Sequence, residues 1–227
     1  MRLSKKFRQL YFIDLIIKLK RYLYQSFSYI ITIIYLKFIA QYKNFSLIKT
    51  IGKGAGYKVS ASKNDQKLFI KIANRRKSKQ NEVKGYLNYY NNDQPFIKLE
   101  NYKYCSLINF IAFKYQEFVT LAEWKNTNSN NNKNDQQFLA DLLHIIEKLV
   151  TTKTNHNDIS ELNIAVLKDK ENIYRLELFD FGITTIEDPN FKELFLKDLN
   201  NVITIAKSTL KQESYDKFYQ ETSRYLT

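Results

Sequence analysis

The order of the predicted elements indicates an α+β chain, with strands and one helix in its first half and helices in its second half. From Phe45 the apolar residues recur in short runs broken by turn residues, which is typical of strands. Beyond Val119 they follow a helical period that one small hairpin interrupts. We therefore expect three segments: a basic N-terminal segment over 1–44, a strand-rich lobe over 45–118 and a reduced helical lobe over 119–227.

Length and composition are those of a folded protein. The chain has 227 residues, of which 44% are hydrophobic and 26% charged, close to the globular average. Its one cysteine, Cys105, excludes an internal disulfide, and no Cys/His cluster has metal-ligand spacing, so we expect a cytoplasmic chain. The net charge of +13 favours anionic partners such as nucleic acid, acidic membrane or a phosphorylated substrate. The alternative explanation is a general compositional bias, since the excess of Lys, Asn, Ile and Tyr runs evenly along the chain.

The N-terminal segment is strongly basic and rich in aromatic residues. Its uncharged run from Tyr22 to Leu36 is shorter than the roughly 20 residues of a membrane-spanning helix, and no small-residue cleavage site of a secretory signal follows it. Such a segment can lie on an anionic bilayer; the alternative is a helix packed on the folded core. The charges that favour the first interpretation are Arg2, Lys5, Lys6, Arg8, Lys18, Lys20 and Arg21, against the single acid Asp14.

The strand-rich lobe is predicted to contain a three-stranded meander, then a helix and a further strand. A polar turn over Lys63–Gln66 separates the second strand from the third. The helix begins with Ser78 as its cap. The predicted bounds are Phe45–Ile51, Gly56–Ala61 and Lys67–Ala73 for the strands, Ser78–Tyr90 for the helix and Cys105–Phe118 for the last strand.

The helical lobe follows an Asn-rich loop over 126–134. A helix is predicted over Asp135–Thr151, with His144 as a surface or core residue and not a catalyst. A hairpin of Ile164–Leu167 and Tyr174–Phe179 comes next, and the chain is helical again from Asn190. The apolar face of the first helix consists of Phe138, Leu139, Leu142, Leu143, Ile146 and Leu149.

Two motifs in the strand-rich lobe point to phosphate binding. Gly52, Gly54 and Gly56 fall between two predicted strands, where missing side chains let backbone amides approach ATP phosphates. A hairpin that needs positive φ would also favour glycine. Lys71 alternates with apolar neighbours in the third strand and needs an anionic partner there, for which ATP phosphates and Glu82 are candidates. The alternative is an edge-strand lysine in solvent.

Two further motifs in the helical lobe suit phosphoryl transfer. In His156-Asn-Asp158-Ile-Ser-Glu-Leu-Asn163 the aspartate can orient an acceptor hydroxyl, and the asparagine five positions later can ligate Mg²⁺. In Asp180-Phe-Gly182 the carboxylate stands at the end of an apolar strand, ready for a metal. Each motif alone also fits a polar turn. Their joint order favours the catalytic interpretation.

From Phe45 to Gly182 the chain resembles the protein-kinase-like superfamily in the order and context of these four motifs. The resemblance implies a two-lobed fold with a strand-rich N-lobe and a small helical C-lobe, an ATP cofactor and Mg²⁺. It implies that Lys71 and Glu82 hold the α/β-phosphates, that Asp158 serves the hydroxyl, and that Asn163 and Asp180 ligate the metal. It places the interlobe hinge at Gln116, Glu117 and Phe118, with backbone groups for adenine, and gives His156 a structural role.

The departures from the protein-kinase pattern bear on the substrate. Asn157 replaces the arginine that in many protein kinases contacts a phosphorylated activation loop, and no Ala-Pro-Glu follows Gly182. The third glycine comes one residue early, with Tyr57 in its usual place. About 45 residues follow Gly182, too few for the subdomain on which protein kinases dock peptide. We therefore expect a non-protein acceptor.

Among small kinase-like enzymes, Phe69–Tyr90 is similar to the lipopolysaccharide core heptose kinase family, through Lys71, the basic cluster 75–79 and Lys84-Gly85-Tyr86. That similarity implies phosphorylation of a sugar hydroxyl of an anionic core glycolipid at the cytoplasmic face of the inner membrane, without nucleic acid. The Gly-Asp-Pro-His form of that family's catalytic loop is absent, and Asp158–Asn163 instead resembles RIO-type atypical kinases. A RIO-like or small-molecule kinase and a silent pseudokinase are the alternatives.

Overall fold

The structure, a computed structural model, describes residues 20, 23–24, 26–51, 56–73, 76–91, 93, 95–105, 107–127 and 134–226, without the side chains of 48–51, 56–57, 73 and 76–79. The chain divides into two compact units. The first comprises Met1–Lys79 and Leu99–Tyr115, and the second comprises Gln80–Lys98 and Gln116–Thr227. The three-segment division expected from the sequence stays a prediction.

The first unit is built on a five-stranded antiparallel sheet in the order β1-β2-β3-β5-β4. Residues 23–24 and 26–34 form helix α1, which continues as a π-helical turn over Tyr35–Ile39. Helix α2, Arg76–Tyr90, begins in this unit and continues into the second. The strands are β1 (Lys43–Ile51), β2 (Gly56–Lys63), β3 (Gln66–Ala73), β4 (Leu99–Tyr104) and β5 (Asn109–Lys114).

Alternation along β3 sets the two faces of this sheet. Leu68, Ile70 and Ile72 point to one face and are buried there with Leu36 and Tyr42 of the N-terminal region. Since strand side chains alternate, Lys71 points to the opposite face, where it is 5% exposed. It pairs in register with Lys58 of β2 and Ile111 of β5. The alternative of a solvent-exposed edge-strand lysine is therefore wrong, because β3 is central and the side chain is buried.

The meander is confirmed to within two residues at each strand end, and two other predictions are wrong. Helix α2 begins at Arg76, so Ser78 lies inside the helix and does not cap it; arginine and lysine are good helix formers that extend it backwards. The predicted strand Cys105–Phe118 is shorter, because Cys105 lies in a turn whose backbone N–H bonds to Ile108 (2.9 Å). Strand β4 was missed.

The second unit combines helices with two small sheets, of order β6-β8-β9 and β10-β7. The predicted hairpin is confirmed as β8 paired with β9. The Asn-rich loop is predicted over 126–134; residues 126 and 127 instead end a helix that continues from Leu121, and residues 128–133 lie outside the described residues. The elements are β6 (Val119–Thr120), α3 (Leu121–Thr127), α4 (Asp135–Thr151), β7 (Thr154–Asn155), β8 (Ile164–Lys168), β9 (Tyr174–Leu178), β10 (Thr185–Ile186), α5 (Phe191–Thr209), α6 (Gln212–Thr222) and a 3₁₀ turn over Ser223–Tyr225.

Helix α4 is the central element of this unit and packs against β9, α5 and α6. Its predicted bounds are confirmed, and its predicted apolar face is buried except for the half-buried Leu143. Its one buried carboxylate, Asp141, binds the Arg175 guanidinium (2.9 Å) and the backbone N–H of Leu176 (2.8 Å), which fixes β9 on the helix. His144 is exposed, as expected.

Both units together confirm the α+β class. Within the described part of the chain, no helix has the length and apolar character to cross a membrane.

A buried carboxyl group joins β9 to the segment before β4. Glu177 accepts hydrogen bonds from the backbone N–H groups of Phe96 (2.7 Å) and Ile97 (3.0 Å). Burial raises the pKa of Glu177 to about 7, although these two bonds oppose the shift. The folded chain therefore binds this proton more tightly than the unfolded chain does.

We expect the free energy of unfolding to fall as the pH rises from about 4.5 through 7, by up to about 3 kcal/mol from this group. The sign follows because the pKa of Glu177 is higher in the folded state, so its contribution is present below 4.5 and lost above 7. Glu177→Gln should remove the contribution of this group and leave that of Asp198 in helix α5, whose pKa burial also raises, whereas Glu147→Gln, at an exposed position of α4, should keep both. Urea unfolding followed by the fluorescence of Trp124, the sole tryptophan and a residue of the second unit, measures both. If the free energy of unfolding varied with pH in the same way for the wild type and Glu177→Gln, the assignment of a raised pKa to Glu177 would be wrong.

Candidate active site

The loop 156–163 between β7 and β8 is held by a carboxylate from helix α5. Asp198, which is fully buried, accepts hydrogen bonds from the backbone N–H groups of His156 (2.6 Å) and Asn157 (3.1 Å). Burial raises the pKa of Asp198 to about 6, and the two backbone bonds oppose that shift. The start of the loop is thus fixed by a residue that lies about 40 positions further along the chain.

Asp158 and Asn163 of this loop are bonded to each other. The Asn163 Nδ2 group donates to the Asp158 carbonyl (2.8 Å) and to Asp158 Oδ2 (3.0 Å). The Asn163 backbone N–H also closes a turn onto Ser160 (2.9 Å). Because the amide nitrogen is committed to Asp158, the amide oxygen faces away from it. Asp158 is exposed, so an acceptor molecule can reach its carboxylate.

Two hydrogen bonds tie the loop to the residue before Asp180. The Phe179 backbone N–H donates to the Asn163 carbonyl, and His156 Nε2 donates to the Phe179 carbonyl, each at 3.0 Å. Asp180 follows with φ of 64°, in the left-handed region that aspartate tolerates better than most residues. Asp180 is thereby placed next to the strand end that contacts Asn163.

Asn157, which replaces an arginine if the resemblance to protein kinases holds, joins the loop to the segment after Gly182. Its Nδ2 group donates to the Ile183 carbonyl (3.1 Å) and lies 3.3 Å from Thr185 Oγ1. Strand β10 extends this connection, since Thr185 pairs with Asn155 of β7. The asparagine therefore has a structural role.

Phe181 lies in an aromatic cluster and is 1% exposed. Its ring centroid is 5.0 Å from that of His156 and 5.2 Å from that of Tyr89 in helix α2. Tyr86 and Tyr90 of the same helix complete the cluster at 6.1 and 5.9 Å. Helix α2 thus packs directly on the Asp-Phe-Gly segment.

Gly85 permits this close approach. A Cβ atom at this position would lie 2.8 Å from Thr184 Cγ2, 2.9 Å from Thr184 Cβ and 3.2 Å from Phe181 Cβ. The first two distances are shorter than van der Waals contact, so helix or segment would have to move. Lack of a side chain at residue 85 therefore fixes the distance between α2 and the backbone beyond Asp180.

We expect Gly85→Ala to destabilise the second unit by about 1–3 kcal/mol through overpacking, against a gain of roughly 1 kcal/mol in helix propensity. Thr184→Ser removes the nearest methyl group and should recover part of the loss in the double variant. Lys84→Ala, exposed on the same helix, is the matched control. Urea unfolding with Trp124 fluorescence measures all four proteins. If Gly85→Ala were more stable than the wild type, helix α2 would be able to move away from Thr184 and Phe181 without loss of stability, contrary to this prediction.

The structure brings together three of the predicted site residues. Asp158 and Asn163 hydrogen-bond to each other, and Asp180 follows Phe179, whose backbone hydrogen-bonds to Asn163. Glu82 is 1% exposed in the part of α2 that belongs to the second unit. Lys71 belongs to the first unit, and its convergence with Asp158 and Asp180 stays a prediction.

The remaining predicted site residues are those expected to bind nucleotide, namely Gly52, Gly54, Gly56, Glu117 and Phe118. The chain passes from the first unit to the second between Tyr115 and Gln116, where the hinge is expected. Glu117 is exposed, and the Phe118 ring lies 5.2 Å from that of Phe179. Gly56 is the first residue of β2. Gly52 and Gly54 lie outside the described residues.

Sequence reasoning missed Asp198 and the packing role of Gly85. Asp198 occupies a buried position in α5, one helical turn from Phe195 and from Val202. A carboxylate on an apolar helix face needs donors, and that signal was available in the sequence. Nothing local distinguishes Gly85, because its role depends on Thr184, almost a hundred positions away.

Comparisons with known proteins give this chain no family. No protein-family model matches it, and no curated protein matches it significantly.

Proposed function

We propose that this protein is an ATP-dependent phosphotransferase with the two-lobed protein-kinase-like fold. The observation that supports it best is the bonded arrangement in the second unit: Asn163 binds Asp158 through its side chain and Phe179, next to Asp180, through its carbonyl. Phosphoryl transfer needs positioning and charge stabilisation more than covalent chemistry. A loop that is held in place by these hydrogen bonds, and that carries one group for the acceptor hydroxyl and one for a metal ion, meets that need.

Asp158 is the proposed general base or orienting group for the acceptor hydroxyl. Its exposure admits an acceptor, while Asp198 and Asn163 hold the loop around it. A carboxylate within hydrogen-bond reach of the hydroxyl proton contributes by general base catalysis.

Asn163 and Asp180 are the proposed ligands of Mg²⁺. Mg²⁺ prefers oxygen ligands and is usually held by one or two carboxylates together with substrate phosphates, not by a cage of protein groups alone. The donor set fits, because the amide oxygen of Asn163 faces away from Asp158 and Asp180 adds a carboxylate. When bound, Mg-ATP supplies the phosphoryl group and neutralises its charge.

Lys71 is proposed to position the α- and β-phosphates together with Glu82. A lysine that is 5% exposed requires anionic surroundings to remain charged. The glycines Gly52, Gly54 and Gly56 and the hinge residues Glu117 and Phe118 complete the proposed nucleotide site.

The proposed acceptor is a sugar hydroxyl of an anionic glycolipid such as the lipopolysaccharide core. The +13 net charge suits a phosphorylated acceptor. Leu162, in the loop of Asp158, and Ile183, just beyond Asp180, are 64% and 57% exposed. Apolar side chains beside the proposed reacting groups suit an amphipathic acceptor.

The test measures two properties of the full chain: Mg²⁺-dependent ATP binding by calorimetry, and transfer of labelled γ-phosphate to purified core glycolipid, to RNA-associated protein substrates or to the chain itself. We expect binding and transfer to glycolipid. Transfer only to protein would favour the RIO-like alternative, and binding without transfer would indicate a pseudokinase. Absence of Mg-ATP binding would refute the proposal.

A further inference from the structure

Helix α1 packs one face, which carries both polar and apolar side chains, against the first unit; its apolar contacts there include Tyr29 and Ile33. Ser28 and Thr32 are 1% and 0% exposed, and their hydroxyl groups donate to the Leu107 carbonyl at 2.8 and 3.4 Å. Leu36, one turn further, lies in the core of the first unit. These contacts fix which face of the helix the first unit covers.

The opposite face of α1 and its π-helical turn is apolar and exposed. Spacings of three and four residues put these side chains on one side of a helix, away from the face that packs on the first unit. We call this set the apolar stripe; it consists of Leu23 (59% exposed), Phe27 (53%), Ile30 (52%), Ile34 (47%) and Phe38 (71%).

Basic groups flank the apolar stripe. Lys20, Lys37 and Lys43 are exposed, and the Lys37 ammonium lies 5.6 Å from the centroid of the Phe38 ring. In the sequence, Asp14 is the only acid before residue 44. An apolar face with Phe and Leu and a basic border matches a helix that lies in the headgroup region of an anionic bilayer. The charge favours lipid over an apolar protein partner, since anionic headgroups attract each nearby lysine.

We propose that the apolar stripe inserts into the headgroup–acyl boundary of an anionic membrane, with α1 parallel to the surface. From Leu23 to Phe38 the stripe spans roughly 23 Å at about 1.5 Å per residue. This docking is independent of the proposed phosphotransferase activity, because it requires neither ATP nor the loop 156–163. It would bring the first unit to a lipid surface.

Surface substitutions test the proposal, because removing residues 1–44 would also remove Leu36 and Tyr42 from the core. The stripe variant is Phe27→Gln/Ile34→Gln. The matched control is Tyr219→Gln/Leu87→Gln, which also changes one aromatic and one aliphatic residue, at 46% and 49% exposure on other helices. Each protein is sedimented, without nucleotide, with vesicles of phosphatidylcholine alone or of phosphatidylcholine and phosphatidylglycerol in equal amounts.

The wild type and the control should bind the phosphatidylglycerol vesicles, less tightly as salt rises, and should leave phosphatidylcholine vesicles largely free. The stripe variant should bind at least about tenfold more weakly, because two apolar side chains no longer enter the bilayer. Equal binding by the stripe variant and the wild type, or no binding by the wild type, would overturn the proposal.

A second measurement does not depend on the stripe variant folding. An environment-sensitive fluorophore is attached to Ile30→Cys in a Cys105→Ser background, and to Leu87→Cys as the control. Emission should rise with phosphatidylglycerol vesicles only at position 30. Unchanged emission at position 30 would overturn the proposal. It would also be overturned if the wild type formed a dimer that binds no vesicles and that the stripe substitutions dissociate, since a second copy of the chain would then cover the apolar stripe.

Discussion

Asp180→Ala should abolish phosphoryl transfer, with the fold of the second unit retained. The carboxylate is a proposed metal ligand, and without it the charge between the β- and γ-phosphates is not neutralised. Weak nucleotide binding should remain, because Lys71 and the hinge are unchanged. Calorimetry with and without Mg²⁺, together with the transfer assay, measures both effects.

Backbone conformation complicates that substitution and suggests a companion. Asp180 has φ of 64°, a region in which alanine costs roughly 1–2 kcal/mol and asparagine less. Asp180→Asn therefore removes the charge with little strain and should also be inactive. Asp216→Asn, exposed on α6, is the control. Substantial transfer by Asp180→Asn would refute the metal-ligand assignment.

Asp158→Ala should lower kcat by roughly 10²- to 10⁴-fold, the usual contribution of a general base, while Mg-ATP affinity stays nearly unchanged. The structure explains this separation. Asn163 donates to the backbone carbonyl of Asp158 as well as to its carboxylate, so the amide stays oriented when the side chain is removed. Single-turnover transfer and nucleotide titration of the same variant measure the two quantities.

Asn163→Ala is the matched comparison, because it should weaken Mg-ATP binding and transfer together. Unchanged transfer by Asp158→Ala would show that the loop is misassigned. If Asp158→Ala lost as much Mg-ATP affinity as kcat, Asp158 would be a ligand of Mg-ATP and not a general base.

Much of the fold could be predicted because the relevant signals are local. Alternation defines β3, and the helical period of α4 is strong enough to give both of its ends. The same kind of local pattern singled out Asp158, Asn163 and Asp180 as candidates, since the loop that holds the first two and the strand end that precedes the third are each a short segment of sequence.

Other features depend on tertiary contacts or on weak patterns. Strand β4 contains charged and half-exposed residues that resemble a loop, and pairing with β5 makes it a strand. The start of α2 depends on helix propensity that outweighs a serine cap. Gly85 matters because it packs against Thr184, and Asp198 finds its donors in the backbone of His156 and Asn157. Both contacts join segments that are distant in the sequence, so no local pattern predicts them.

The carboxylate of Asp198 has a consequence for the motions of the second unit. Because the backbone N–H groups of His156 and Asn157 both end on this one side chain, the loop can open only when it detaches from α5. Proteins open in cooperative units of this kind, and exchange of amide hydrogens with deuterium reports them. The amides of His156 and Asn157 should therefore exchange as slowly as those in the middle of α5, although the next residue along the chain, Asp158, has an exposed side chain.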